Sequence, residues 1–228
     1  MTRAWSPISS SLLPPRMARG RAEGRGRLGV WLIVAAIAAV PVIAAALSPL
    51  QRGRETLWII GGMAGVVALS LLFVQPLFTA TAPVLTAARE GIRWHRWGGV
   101  AIIAMIALHV GALYAYSPED VMDALLLVAP TPFSLYGVIG LWCAVLTGVL
   151  AAARRRLRLG HRRWRIAHSV LAVAIVSATA VHAVLIEGAM EEISKLAICF
   201  AALATTTFGA VEINVLGPLR RRRALQGA

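Results

Sequence analysis

RWHRWGGVAIIAMIALHV, residues 93–110, places two histidines in a stretch that is otherwise apolar enough to cross a membrane. A membrane-spanning helix needs about 20 apolar residues, and an ionisable side chain inside it is costly. His95 and His109 are therefore either solvated by chance near the two membrane faces, or required by something bound within the membrane. The rest of the chain decides between these two explanations.

Five further apolar blocks of similar length accompany this one. The chain has 228 residues, of which 58% are hydrophobic and 14% charged, so little of it is left for a soluble domain. We predict an all-α, polytopic membrane protein with six transmembrane helices, at about 28–47, 57–78, 97–116, 133–153, 166–186 and 193–215. We expect a disordered, basic N-terminal tail over 1–27, a six-helix domain over 28–215 and a basic cytoplasmic C-terminal tail over 216–228.

The distribution of charge predicts the orientation of the chain. Its net charge is +13, and an N-terminus on the inner side places 20 of the 23 Lys and Arg residues inside, with only Arg52, Arg54 and Lys195 outside. This is the positive-inside pattern, so both termini are expected in the cytoplasm of a bacterial cell, with the chain integral to its cytoplasmic membrane. The basic charge then faces the lipid bilayer, and nucleic acid is not an expected partner. Cys143 and Cys199 lie in separate helices without a CxxC motif and are expected to be packing residues.

The spacing of the histidines recurs in the fifth predicted helix. His95 and His109 are 14 residues apart, and so are His168 and His182. Fourteen residues fall about 40° short of four turns, so each pair shares a helix face with about 21 Å between its members along the axis. The two helices run in the same direction, which predicts that His95 faces His168 at an inner depth and that His109 faces His182 at an outer depth. The fifth histidine, His161, lies outside this arrangement.

Two facing imidazoles at one depth can hold one metal ion along an axis, and four imidazoles in two layers can hold two. No Asp, Glu or Cys is predicted beside them to complete a bare zinc or copper site. A porphyrin brings four nitrogens of its own and an apolar rim. We therefore predict that the histidines hold haem, with His95 and His168 at the inner iron and His109 and His182 at the outer iron.

Small and basic residues lie close to the predicted inner site. Gly98 and Gly99 are expected to leave room for a flat ring, although small residues in membrane helices also serve close packing. Arg96 and Arg165 are predicted to bind the haem propionates. The alternative is that these arginines only set the topology and attract anionic lipid. On the outer side, acidic loops either attract a cationic substrate such as a ferric species or simply occupy the translocated face.

These residues resemble the ferric reductase-like transmembrane domain family, which includes ferric-chelate reductases, the membrane part of NADPH oxidases and the haem subunit of bacterial methionine sulfoxide reductase systems. The resemblance covers about residues 28–215. It is carried by WHRWGG and His109 on the third span and by RRWRIAHS and His182 on the fifth. It implies two haems of type b on His95, His168, His109 and His182, and electron transfer from the cytoplasmic side to the outer side.

The sequence departs from longer members of that family at its C-terminal end. About a dozen residues follow the last predicted span, without an HPFT-like flavin motif or a GxGxxG motif, so no FAD or NAD(P) site is expected in this chain. The resemblance therefore implies a separate flavoprotein reductase or membrane quinol as electron donor. The outer-side acceptor would be a ferric species, oxygen or a periplasmic reductase. The chain would then be the membrane haem subunit of an oxidoreductase.

Two other functions stay open. A quinol-linked cytochrome b-type subunit also pairs histidines on parallel helices, but on its second and fourth spans, and no PEWY-like motif is present. A cofactor-free membrane transporter or assembly factor would need polar residues near the middle of the membrane, where these two helices offer few besides Ser177 and Thr179. Inhibition by a quinol-site inhibitor would favour the first, and a colourless purified protein would favour the second.

Overall fold

Long helices make up the structure, a computed structural model that describes residues 15–80 and 88–226. Within these residues, six helices are long and apolar enough to cross a membrane, and no β-strand occurs. The predicted all-α fold with six spans is therefore confirmed. The direction in which the chain crosses the membrane stays a prediction.

The helices follow the apolar blocks closely. In chain order they are α1 (Pro15–Ala46), α2 (Thr56–Val74), α3 (Leu77–Ala80), α4 (Ala88–Tyr116), α5 (Pro118–Leu125), α6 (Pro132–Ala153), α7 (His161–Leu185), α8 (Glu192–Val211) and α9 (Gly217–Gln226). A π-helical turn, Glu212–Leu216, joins α8 to α9. α2 and α3 form one span that is interrupted at Pro76, because proline has no amide hydrogen to continue the helical hydrogen bonds.

The N-terminal segment differs from the sequence-based prediction. α1 begins at Pro15, so residues 15–27 are helical where their composition predicts a disordered tail. Proline suits the first turn of a helix, Ala, Arg, Met and Glu are good helix formers, and extending an existing helix costs far less than starting one. Residues 1–14 lie outside the described residues. At the other end, the predicted basic tail over 216–228 is helical as far as Gln226.

A short helix, α5, follows the third span where the sequence suggested only an outer loop. Pro118 lies in its first turn, and the Ser117 hydroxyl donates a hydrogen bond to the Asp120 carboxylate at 2.6 Å. Proline and a preceding serine are both common at helix starts. The third span therefore turns directly into a surface helix, which packs against α4 and α6.

Two antiparallel hairpins organise the bundle. α2 packs along α4 to form the first hairpin, and α6 packs along α7 to form the second. α8 contacts both α7 and α2 and so joins the hairpins, with α1 against α2 and α8. The buried core lies at this junction and includes Leu69, Phe73, Val176, Ile198 and Ala202. In contrast, the backbones of α4 and α7 hardly approach each other within the described residues, and histidine side chains meet between them. We call the gap between α4 and α7 the interhelical slot.

Candidate functional site

Two imidazole rings face each other across the interhelical slot at its inner level. The ring centroids of His95 on α4 and His168 on α7 are 5.8 Å apart, and the rings are inclined at 77°. The Nδ1 atom of His95 lies 3.1 Å from the carbonyl oxygen of Gln75. Trp164, one turn before His168, stacks on the His168 ring at 5.1 Å. The structure thus brings together the two histidines that were predicted to form the inner pair.

The outer pair has the same arrangement. The ring centroids of His109 and His182 are 6.3 Å apart and the rings are inclined at 80°. Nδ1 of His109 lies 2.7 Å from the Gly61 carbonyl oxygen, and Nδ1 of His182 lies 2.8 Å from the Phe133 carbonyl oxygen. A carbonyl oxygen only accepts hydrogen bonds, so in both rings Nδ1 donates and Nε2 keeps its lone pair. His161 is exposed at the start of α7, away from both pairs.

Two glycines provide the space for the outer rings. A β-carbon added at Gly65 on α2 would lie 3.0 Å from Nδ1 of His109, and one added at Gly137 on α6 would lie 2.9 Å from Nδ1 of His182. Each imidazole therefore rests on backbone where any other residue would place a side chain. This close approach lets each ring reach the carbonyl of the residue four positions before the glycine, which is Gly61 for His109 and Phe133 for His182.

Gly98 and Gly99 lie against the side chain of Gln75 in the structure, and their role in leaving room for a flat ring stays a prediction. A β-carbon at Gly98 would collide with Oε1 of Gln75, the residue that follows α2, and one at Gly99 would lie 3.3 Å from Nε2 of the same side chain. The two missing side chains leave a notch in α4 beside Gln75. The Gln75 side chain fills this notch and donates a hydrogen bond to the His95 carbonyl at 2.6 Å.

Gly98→Ala is expected to lower the free energy of unfolding by about 1–3 kcal/mol, because the new methyl group overpacks the notch that Gln75 fills. The measurement is unfolding in mixed detergent micelles. Gly111→Ala on the same helix is the matched control, since a β-carbon there meets nothing within 4 Å. Combining Gly98→Ala with Gln75→Ala should cost less than the sum of the single changes. Strict additivity would contradict the contact.

The two arginines that were predicted near the inner pair differ in their surroundings. Arg165 is half-buried, and its Nε donates to Oδ1 of Asn214 at 3.2 Å. Nδ2 of Asn214 donates in turn to the hydroxyl of Ser169 at 2.8 Å, next to His168. Asn214 belongs to the π-helical turn, a feature frequent at functional sites. Arg96 is exposed on α4. The structure therefore links Arg165, through Asn214, to the residue that follows His168, whereas Arg96 is exposed.

The donor set of the site fits haem iron. An iron about 2 Å from each of two imidazole nitrogens separates the ring centroids by about 6 Å, close to the spacing of both pairs. Ligating histidines usually donate their other ring nitrogen to a carbonyl or carboxylate, as three of these rings do. Among residues 15–80 and 88–226, no three His, Cys, Asp or Glu side chains come together. The remaining ligands would have to come with the metal, as they do from a porphyrin.

Several residues of the site were not found from the sequence. Gln75 and Asn214 are polar side chains within apolar spans, and that is a signal the sequence does contain. Gly65 and Gly137 give a much weaker signal, because small residues are common wherever membrane helices pack closely. The carbonyl groups that accept from the rings give no signal at all, since every residue has one.

One comparison with known proteins gives a match. Residues 62–179, just over half of the chain, match a family model described as "Ferric reductase like transmembrane component". The matched region includes His95, His109 and His168, and it ends three residues before His182. No curated protein and no solved structure gives a significant match.

Proposed function

Because the chain belongs to the ferric reductase-like transmembrane family, we propose that it is a di-haem protein that carries electrons from a cytoplasmic-side donor to an acceptor on the outer side. Family membership indicates electron transfer across the membrane as the general role, and the six apolar helices agree with an integral, multi-pass protein. His95 and His168 would ligate the inner haem iron, and His109 and His182 the outer. Two bound haems of type b would supply one-electron redox chemistry at two depths.

The observation that carries this proposal is the facing of two imidazole pairs between two helices whose backbones stay apart. Membrane helices that pack directly on each other fill the space between them with small or interlocking side chains. Four ionisable rings within spans are also expensive unless they serve a function. Two haem irons held by the four histidines would account for the pairing, the equal spacing on α4 and α7, and the gap between them.

The protein's own groups would hold the rings in the ligating form. The Gly61 and Phe133 carbonyls fix the Nδ1–H tautomer of the outer rings, which directs Nε2 to the metal and raises its basicity. Neutral imidazoles also cost far less within the bilayer than charged ones. Arg165 would bind a propionate of the inner haem, with Asn214 orienting its guanidinium. Arg96, exposed on α4, would bind the second propionate.

The predicted orientation of the chain places the electron donor on the inner side of the membrane and the acceptor on the outer side. We propose a separate flavoprotein reductase or membrane quinol at the inner face of the bacterial cytoplasmic membrane, and a ferric species, oxygen or a periplasmic reductase outside. The outer segments present exposed carboxylates that would attract a cationic acceptor, namely Asp120, Asp123, Glu187, Glu191 and Glu192. Association with such an acceptor would weaken as ionic strength rises.

A reduced-minus-oxidised spectrum of the purified protein, with haem quantified per chain, tests the proposal. We expect a b-type spectrum with bis-imidazole, low-spin iron and about two haems per chain, as four ligands in two layers require. Reduction that requires a flavoprotein, and that a quinol-site inhibitor leaves unchanged, would identify the first class of donor. A colourless protein, purified from cells that make haem, would contradict the proposal and favour the cofactor-free alternative.

A further inference from the structure

The two hairpins repeat one sequence pattern. HRWGGVAIIAMIALH (95–109) and HSVLAVAIVSATAVH (168–182) have six of fifteen residues in common when one is shifted by 73 positions. The preceding helices align with a shift of 72, which matches GVVAL (65–69) to GVIGL (137–141). The two shifts differ by a single residue in the connection between the helices. The order and the spacing are therefore the same in both hairpins.

Contacts to the outer rings obey the same repeat. The carbonyls that accept from the two rings belong to Gly61 and Phe133, which are 72 positions apart. The glycines that the two rings rest on, Gly65 and Gly137, are also 72 positions apart. Sequence and structure thus identify the same equivalent positions in the two hairpins independently.

At the inner level the repeat is incomplete. His95 donates to the carbonyl of Gln75, and the position equivalent to Gln75 in the second hairpin is Thr147. Nδ1 of His168 is buried and has no hydrogen-bond partner among the described residues. A buried polar atom without a partner is costly and uncommon. Thr147 lies 14 residues after Phe133, whose carbonyl accepts from the outer ring, and Gln75 likewise lies 14 residues after Gly61. Thr147 therefore occupies the inner level of the face of α6 towards α7.

We propose that Thr147 is the positioning residue for His168, and that its hydroxyl oxygen accepts the Nδ1–H of this ring in the haem-bound protein. The Thr147 hydroxyl donates its own hydrogen to the Cys143 carbonyl at 2.8 Å, so its oxygen stays able to accept. The Thr147 carbonyl, which the repeat makes equivalent to the Gln75 carbonyl, accepts nothing from His168 in the structure, so the hydroxyl is the oxygen of Thr147 that remains for this ring. His168 reaches it by turning away from its stack on Trp164. This inference rests on the proposed function.

A ring that donates Nδ1–H to an acceptor is a more basic ligand and favours the oxidised metal. Thr147→Val keeps the shape of the side chain and removes the acceptor. The midpoint potential of the inner haem should therefore rise, and the inner haem should be held about 10–100-fold more weakly. The outer haem should keep both its potential and its affinity.

The experiment uses the full-length holoprotein in detergent. A redox titration resolves two steps, and the step that disappears in His168→Ala is assigned to the inner haem. Transfer of haem to excess apomyoglobin measures affinity. Thr147→Ser should restore both values, because it restores the hydroxyl. Thr205→Val is the control, since the Thr205 hydroxyl also donates to a carbonyl four residues earlier, that of Ala201 at 2.9 Å; it should leave the potential of the inner haem unchanged.

The outcomes separate this inference from the proposed function. If the wild-type protein holds two haems and Thr147→Val changes neither the inner potential nor the inner affinity, the role of Thr147 is refuted and the di-haem proposal stands. If the wild-type protein holds no haem, the di-haem proposal itself fails. Should Thr147→Val not accumulate in the membrane, Thr147→Ala compared with Thr147→Ser decides the question by the same two measurements.

Discussion

His109→Ala and His182→Ala are each expected to remove about half of the haem absorbance of the purified protein. The two rings face each other at 6.3 Å, and neither has another histidine at its level that could replace the missing ligand. One imidazole alone leaves an axial position of the iron open in an apolar site. The outer haem should therefore be lost, while the inner pair, about 21 Å further along the helices, keeps its own. Haem per chain measures the effect.

His161→Ala is the control for these two variants. His161 is exposed and lies at the start of the helix that carries His168 and His182, so its removal should change the haem content by nothing measurable. The variants should also block electron transfer to an outer acceptor while the inner haem can still be reduced. Full haem retention in both His109→Ala and His182→Ala would rule out the assigned ligands.

Gly137→Val is expected to remove the outer haem although it replaces none of the four predicted ligands. A β-carbon at this position would lie 2.9 Å from Nδ1 and 3.0 Å from Cε1 of His182, and valine adds two further methyl groups. The ring would have to leave the Phe133 carbonyl and move out of line with His109. The expected loss is again about half of the haem. The inner haem should remain, because its ligands lie about four helical turns away.

Gly148→Val on the same helix provides the matched control, because a β-carbon there meets nothing within 4 Å. Both substitutions place a β-branched residue in α6 and so change its helix propensity by similar amounts. If both variants lose haem equally, the effect is a general one on α6 and not a clash with His182. Gly65→Val, at the equivalent position beside His109, should behave as Gly137→Val does.

The sequence was sufficient to predict the spans and the pairing of the histidines. Blocks of about twenty apolar residues leave little choice but membrane helices. Two histidines 14 residues apart share a face of any α-helix, and this geometry depends on nothing outside the helix. Because the third and fifth predicted spans run in the same direction, the relative depth of His95 and His168 followed from counting the spans between them. The ligand assignment itself stays a prediction.

The environment of the rings could not be predicted in the same way. It depends on which neighbour each helix packs against, and α2 and α6 supply the acceptors through backbone carbonyls that carry no signature in the sequence. Gly98 shows the difficulty. Its position three residues after His95 suggested a role beside a flat ring, and nothing in the sequence indicated that the side chain of Gln75 packs against it.

The occupant of the interhelical slot also affects how the melting temperatures of two samples of this protein can be compared. Since the backbones of α4 and α7 stay apart, whatever occupies the space between them adds contacts between the two hairpins to those that α8 already makes. An occupant that binds only the folded state adds to the melting temperature by mass action. Samples that contain different amounts of the bound pigment are therefore expected to melt at different temperatures. Calorimetry compares the polypeptides of two variants only when both carry the same amount of it.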